Sequence, residues 1–348
     1  MKQGKLGVFI GRFQPFHLGH KKIVDKNFKS YEKFLFIIGS SGQPRTLRNP
    51  FTAEERGKVI SELYPEADIL AMKDTLYHDD VWFSEVISMI QKEYPTLKPC
   101  LLGYKKDYTS NYLDMFLSQR DSQWEDHLEI SPDTMNATDI REQFFTSGKI
   151  EGCPPATAKF LKKFALSPLY QELKETTVFV KENKEKWDCP AVQRWGGPIL
   201  VTVDAVVTCG PHILLVKRGA QPGQGLLALP GGYLGSKERV EDGMIRELLE
   251  ETKIKIPEKV LRGCIVGSKV FDAIHRSDRY RIITHAYHIQ LPPQTLPKVK
   301  GGDDAKSASW YLITDIQKRT DIMFEDHIHI INEFKQLTSS CIYYLQKK

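Results

Sequence analysis

The sequence predicts an α/β protein of two domains, and three observations point that way. The first half alternates apolar runs with helical segments, as a parallel sheet wound on both faces requires. A charged stretch over residues 171–197 breaks the pattern and reads as a linker. The second half sets β-type runs around one strong helix. The expected domains are therefore 1–170 and 198–348, and 348 residues suffice for two separate cores.

In order, "KLGVFI" predicts a first strand, "GHKKIVDKNFKS" a helix, and "KFLFIIGS" a second, fully apolar strand. "TAEERGKVISELY" predicts a helix opened by a capping box of Thr52 and Glu55. "KPCLLGY" is a further buried strand. Beyond the linker, "ILVTVDAVV", "HILLVKR" and "RIITHAYHIQL" are strand-like, and "ERVEDGMIRELLEET" is helical. No internal repeat or low-complexity tract is present.

Hydrophobic residues at 41% and charged residues at 27% are ordinary globular values. The net charge of +5 suits phosphate-bearing substrates but falls short of a nucleic-acid-binding face. Cys100, Cys153, Cys189, Cys209, Cys264 and Cys341 form no C-x-x-C pair, against a zinc site or disulfide framework. The most apolar segment, "PILVTVDAVV", is short and interrupted by Asp204, so no membrane span is expected. Arg12 and Gln14 follow the N-terminal apolar run, against a signal peptide. The expectation is a cytoplasmic protein, with oligomeric state left open.

The first candidate site is "GRFQPFHLGH", residues 11–20, at the end of the first strand. His17 and His20 lie three apart on one face at a helix N-terminus, which attracts anions. Gly11 allows close backbone approach, and Arg12 adds a fixed positive charge. A lone histidine there would be a cap; the pair points to a polyphosphate.

H-x-G-H after a strand resembles the nucleotidylyltransferase signature, matched by His17, Leu18, Gly19 and His20. The resemblance implies a Rossmann-like domain in which one substrate's phosphate attacks the α-phosphate of a nucleoside triphosphate. The family's second motif, S-x-T-x-x-R, is matched by Thr138 and Arg141, with Asn136 in place of the serine. Thr138 could instead simply cap the helix that ends at Gly148. Together with "TLRNPFTAEER" and "LLGYKKDYTSNYL", residues 5–165 are similar to archaeal-type nicotinamide-mononucleotide (NMN) adenylyltransferases. That similarity implies ATP contacts at Gly11, Arg12, Phe13, Gln14, Gly19, Asn136 and Thr138, and catalytic roles for His17, His20 and Arg141. It also implies NMN contacts at Asp80 and Trp82 in "HDDVW", since an indole face attracts a cationic pyridinium ring. A core tryptophan is the structural alternative.

Residues 232–254, "GYLGSKERVEDGMIRELLEETKI", resemble the Nudix box: Gly232, Glu238 six on, Arg246 eight further, then "RELLEE". On a helix Glu247, Glu250 and Glu251 converge on one face, and three carboxylates there call for a divalent cation. Hard oxygen ligands select Mg2+, with Mn2+ an alternative. The resemblance implies an α/β/α sandwich with a mixed sheet, Arg246 orienting a glutamate, and Glu238 bracing the loop or helping to bind metal. The box's terminal glycine is Lys253 here, at a left-handed position that costs a non-glycine residue ~1 kcal/mol.

"VKRGAQPGQGLLALPGG", with Arg218, resembles the ADP-ribose branch of that family. Asp303 or Asp304 could add an acid near the metal or cap a turn. Arg276, Arg279 and Arg281 could meet phosphate or edge a strand.

The two resemblances together match bifunctional fusions. They imply that ATP and NMN give NAD and pyrophosphate in the first half, while the second cuts ADP-ribose to AMP and ribose 5-phosphate. An alternative makes the second half a non-hydrolysing ADP-ribose or NAD sensor, or a hydrolase of another nucleoside diphosphate derivative.

Overall fold

The structure, a computed structural model, describes residues 4–74, 76–104, 116, 124–129, 136–186, 190–194, 196–293, 295–302, 305–336 and 342–348. The chain divides into two compact units, Met1–Lys174 with Ser339–Lys348, and Glu175–Thr338. In chain order the first holds β1 (Lys5–Gly11), α1 (Leu18–Asn27), β2 (Lys33–Ile38), α2 (Ala53–Leu63), β3 (Asp68–Met72), α3 (Asp79–Glu93), β4 (Lys98–Tyr104), β5 (Glu125–Glu129), α4 (Ala137–Ser147) and α5 (Pro155–Phe164). The division falls within α6 (Pro168–Lys186), where the sequence predicts a linker with a solvated helix face; a short α7 (Pro190–Gln193) follows.

Strands β3, β2, β1, β4 and β5 lie side by side in that order, all parallel. The apolar runs of β1 and β2 are buried because helices cover both faces of such a sheet. The chain leaves β1 for β2 and β3 on one side, then crosses to β4 and β5 on the other. The carboxyl end of β1 is therefore the topological switch point, where doubly wound sheets bind ligands, and residues 11–20 fall there. The capping box of α2 forms as predicted: Glu55 N donates to Thr52 Oγ1 at 3.2 Å, and Thr52 N to Glu55 Oε2 at 2.8 Å.

The second unit contains β6 (Ile199–Cys209), β7 (His212–Arg218), β8 (Leu227–Ala228), β9 (Gly231–Tyr233), α8 (Val240–Thr252), α9 (Glu258–Gly263), β10 (Ile265–Phe271), β11 (Arg281–Leu291), β12 (Ala305–Leu312), α10 (Ile313–Lys318) and α11 (His327–Lys335). Its main path runs β10-β11-β6-β7-β12, with β8 on β7 and β9 on β6. Only β11 and β6 pair in parallel among these ladders, so the sheet is mixed. Met244, Ile245 and Leu248 of α8 join the core of Val203, Ala205 and Val207 on one face. On the other, Phe334 of α11 meets Phe271 and His288. Helices on both faces make the α/β/α sandwich. No helix among the described residues is long and apolar enough to cross a membrane.

One expectation is corrected. The sequence places 198–348 in a single domain, yet the final strand β13 (Ile342–Gln346) pairs antiparallel with β3 at the edge of the first sheet. Leu345 fills the space above Gly57, where a Cβ would lie 2.6 Å from its Cδ1. Tyr343 donates to Glu54, and the Gln346 amide to the Ala67 carbonyl at 2.6 Å. The bare edge of β3 presents unpaired backbone groups, and this strand covers them. Deleting residues 342–348 is expected to destabilise the first unit by on the order of 3 kcal/mol, through lost apolar burial and edge pairing. In a thermal melt its transition should fall by roughly 5–10 °C. An unchanged melt would show that β13 adds nothing to that sheet.

Candidate active sites

At the switch point, His17 precedes α1 and is 4% exposed. Its ring stacks on His20 with centroids 3.7 Å apart. His20 Nδ1 accepts the His17 backbone N–H at 3.2 Å, so the neutral His20 ring carries its proton on Nε2. Rings of Phe9, Phe13 and Phe16 pack round His20 at 5.1–5.8 Å and fix its orientation. A Cβ on Gly19 would lie 3.0 Å from the His17 ring, which explains the glycine of H-x-G-H. The first turn of α1 holds no acidic residue that would oppose the positive end of its dipole.

Several of the residues expected to contact ATP also make framework contacts. Phe13 takes φ 50° and buries its ring in the core. Gln14, 1% exposed, mimics a strand partner: its amide donates to Phe51 O at 2.8 Å and accepts Phe51 N at 3.0 Å. Gly11 faces the Phe13 ring, 3.0 Å from where a Cβ would sit. Arg141 ties two loops together, donating to Leu47 O at 2.9 Å and Gln14 O at 2.7 Å, and meets Thr138 Oγ1 at 3.3 Å. The N-cap of α4 is Asn136, not Thr138: its Oδ1 accepts the Asp139 amide at 2.9 Å. That explains the amide in place of the motif's serine, since both cap helices well. Thr138 is left exposed on the first turn. Asp80 and Trp82 lie in the first turn of α3. Asp80 is exposed, and Trp82 is half-buried, edge-on to Phe116. Most of "LLGYKKDYTSNYL" lies outside the described residues.

Sequence reasoning missed Arg56. It is 2% exposed and donates to the carbonyls of Thr52 at 3.1 Å, Gly39 at 2.7 Å, Ser40 at 3.0 Å, and Arg12. Burial lowers its pKa to about 10, and the Asp74 charge opposes the fall. One buried guanidinium thus gathers the segments that follow β1 and β2. The available signal was an arginine on the apolar stripe of α2, beside buried Ala53, Gly57, Val59 and Ile60.

The second site is built on α8. Arg246 holds Glu238 through two hydrogen bonds of 3.0 and 2.7 Å, and its Nη1 reaches Glu247 at 2.8 Å and Glu250 at 3.0 Å. With the Gly235 amide, Arg246 holds Glu238 down to about 2. Gly232 leaves room for Glu247, whose Oε1 lies 2.6 Å from where a Cβ would be. Glu251 is buried, and its Oε2 accepts the Gly231 amide at 3.0 Å. Burial pushes its pKa up to about 8, Gly231 opposes this, and the neighbouring charges of Glu247 and Asp204 add to the rise.

The expected convergence is modified. Among the described residues no three His, Cys, Asp or Glu side chains form a ready metal cage. Arg246 engages Glu247 and Glu250, while Glu251 accepts the Gly231 amide. The donors still suit a hard divalent cation, because Glu247 and Glu251 repel each other and offer oxygen only.

Arg218 lies over the Phe324 ring at 4.0 Å, donates to Pro222 O, and its charge reaches Glu251. Arg276 is buried in a two-pronged ion pair with Asp326. Arg279 pairs with Glu325, and Arg281 with the carbonyls of Asp272 and Ala273. All three thus have partners within the protein, and only Arg281 lies in a strand, at the start of β11. Asp303 and Asp304 lie outside the described residues. Lys253 ends α8 at φ 46°, in the left-handed position a glycine would occupy without strain. Lys253→Gly is expected to stabilise the second unit by about 1 kcal/mol, raising its Tm by roughly 2–4 °C. A fall in Tm would mean that the lysine side chain, packed towards Gly302, contributes more than the strain costs.

Two families match the chain: Cytidylyltransferase-like over residues 8–130, and NUDIX domain over residues 198–334. A crystal structure of a bifunctional NMN adenylyltransferase/ADP-ribose pyrophosphatase from Francisella tularensis is 32% identical with a TM-score of 0.88, covering 96% of this chain and 99% of that one. The chain belongs to this bifunctional family. The Francisella enzyme has also been crystallised with AMP and a Mn ion, a structure that superposes with a TM-score of 0.87. Each half has separate relatives. A nicotinamide/nicotinic acid mononucleotide adenylyltransferase from Acinetobacter baylyi is 31% identical over 48% of this chain and 90% of its own length. An ADP-ribose pyrophosphatase from Methanocaldococcus jannaschii is 32% identical over 38% of this chain and 72% of its own.

Proposed function

We propose that the chain carries two activities of NAD metabolism. The first unit transfers AMP from ATP to NMN, giving NAD and pyrophosphate. The second hydrolyses ADP-ribose to AMP and ribose 5-phosphate. The observation that carries this reading is the match to the Francisella enzyme across 96% of the chain, both units included.

At the first site no protein nucleophile is needed, because the NMN phosphate itself attacks the α-phosphate of ATP. His20 Nε2–H, His17, Arg12 and the α1 N-terminus bind and align the triphosphate, stabilising charge on the transferring group. Thr138 and Asn136 add contacts from the start of α4, and Arg141 holds their loop in register. Asp80 and Trp82 receive the nicotinamide.

At the second site Glu247, Glu250 and Glu251 would hold a divalent cation, Mg2+ or Mn2+. When bound, such an ion supplies Lewis acidity and neutralises the pyrophosphate charge. Arg246 orients two of the glutamates, Glu238 braces Arg246, and Arg218 faces the substrate's phosphates.

The test measures AMP from ADP-ribose and NAD from NMN plus ATP. AMP release is expected with Mg2+ or Mn2+, to stop on chelation, and to return when metal is restored. ADP-ribose binding without AMP release under either metal makes the second unit a sensor instead.

A further inference from the structure

Behind Glu251 lies a buried polar chain outside the Nudix box. His327, at the start of α11, is 6% exposed, and its Nδ1 accepts the Leu229 amide at 2.9 Å. An accepting ring nitrogen carries no proton, so the neutral ring is protonated at Nε2, 4.0 Å from Asp204 Oδ1. Burial favours that neutral form by pushing the imidazole pKa down. Asp204, 4% exposed, accepts the Thr284 hydroxyl at 2.5 Å.

The segment held by this chain runs directly to Glu251. Leu229 is fixed by His327, and the Pro230 carbonyl accepts the Ala205 amide at 2.8 Å. The Gly231 amide then donates to Glu251 Oε2 at 3.0 Å. Only glycine fits at this position: a Cβ on Gly231 would lie 2.2 Å from Val203 O and 2.5 Å from Asp204 Oδ1. Three successive residues are pinned in turn, and the last of them aims a carboxylate.

We propose that His327 is a positioning residue for the second active site: by accepting the Leu229 amide it sets the Leu229–Gly231 turn, and through the Gly231 N–H it aims Glu251. The proposal rests on the reading of this unit as an ADP-ribose hydrolase in which Glu251 holds the cation. An imidazole suits the task because its acceptor sits on a rigid ring, here edge-on to Phe324 at 5.4 Å.

The test compares His327→Asn, His327→Gln and His327→Leu in the full chain. Asparagine can place an acceptor where Nδ1 lies; glutamine places its own near Nε2; leucine has none. In His327→Leu and His327→Gln, kcat for ADP-ribose should fall by about ten- to a hundredfold, with KM within about twofold. Mn2+ affinity without substrate, measured by calorimetry, should weaken by about tenfold in the same two variants. His327→Asn should recover both to within about threefold. NMN adenylyltransfer by the same samples should not change.

Should the leucine variant not fold, the asparagine and glutamine variants decide the matter. Parent-like kcat and Mn2+ affinity in all folded variants overturn the proposal and leave an ordinary core histidine. Equal losses in Asn and Gln overturn it as well, since the position of the acceptor would then be irrelevant. A parent chain that releases no AMP defeats the hydrolase reading itself, and the Mn2+ affinities still test the positioning of Glu251.

Discussion

Glu251→Gln is expected to lower kcat for ADP-ribose hydrolysis by about a thousandfold without disturbing the fold around it. A carboxamide is the same size, and its oxygen can still accept the Gly231 amide that Glu251 accepts at 3.0 Å. It lacks the negative charge that would hold a divalent cation. Glu250→Gln, altered at the half-buried position where Glu250 meets Arg246, should lower it by a similar factor. Neither variant should alter NAD formation, which belongs to the other unit. Activity within about tenfold of the parent in both would remove these glutamates from the chemistry.

The second large effect is structural. Arg56→Met should destabilise the first unit by about 3–5 kcal/mol, because one loss orphans several buried groups. The guanidinium bonds the carbonyls of Thr52, Gly39, Ser40 and Arg12, and methionine can bond none. Asp74, whose carboxylate already accepts the Ser40 amide and hydroxyl, would lose the nearby positive charge. Arg56→Lys keeps the charge but not the planar fork, so an intermediate loss is expected. Denaturant unfolding followed through NAD formation measures the change, with AMP release from ADP-ribose as the internal control. A loss below about 1 kcal/mol would mean that these carbonyls find other partners.

What was legible in the sequence is local. The apolar runs of β1 and β2, the Thr52–Glu55 capping box and the Arg246–Glu250 pair follow from contacts within a strand or a helical turn. The H-x-G-H and Nudix spacings are legible for the same reason, since each repeats the geometry of one helix and its entry loop. The Lys253 departure was equally plain, and the left-handed cap it predicted is present.

Tertiary structure alone decided the rest. Gln14 bonds Phe51, 37 residues away; Arg141 reaches Gln14 across 127, and His327 reaches Leu229 across 98. The return of β13 to the first sheet joins the last residues of the chain to β3. Periodicity encodes which face of an element is apolar, but not which distant carbonyl a buried donor will meet. Those partners are set by strand order and by the need to satisfy every buried polar group once the chain has closed around it.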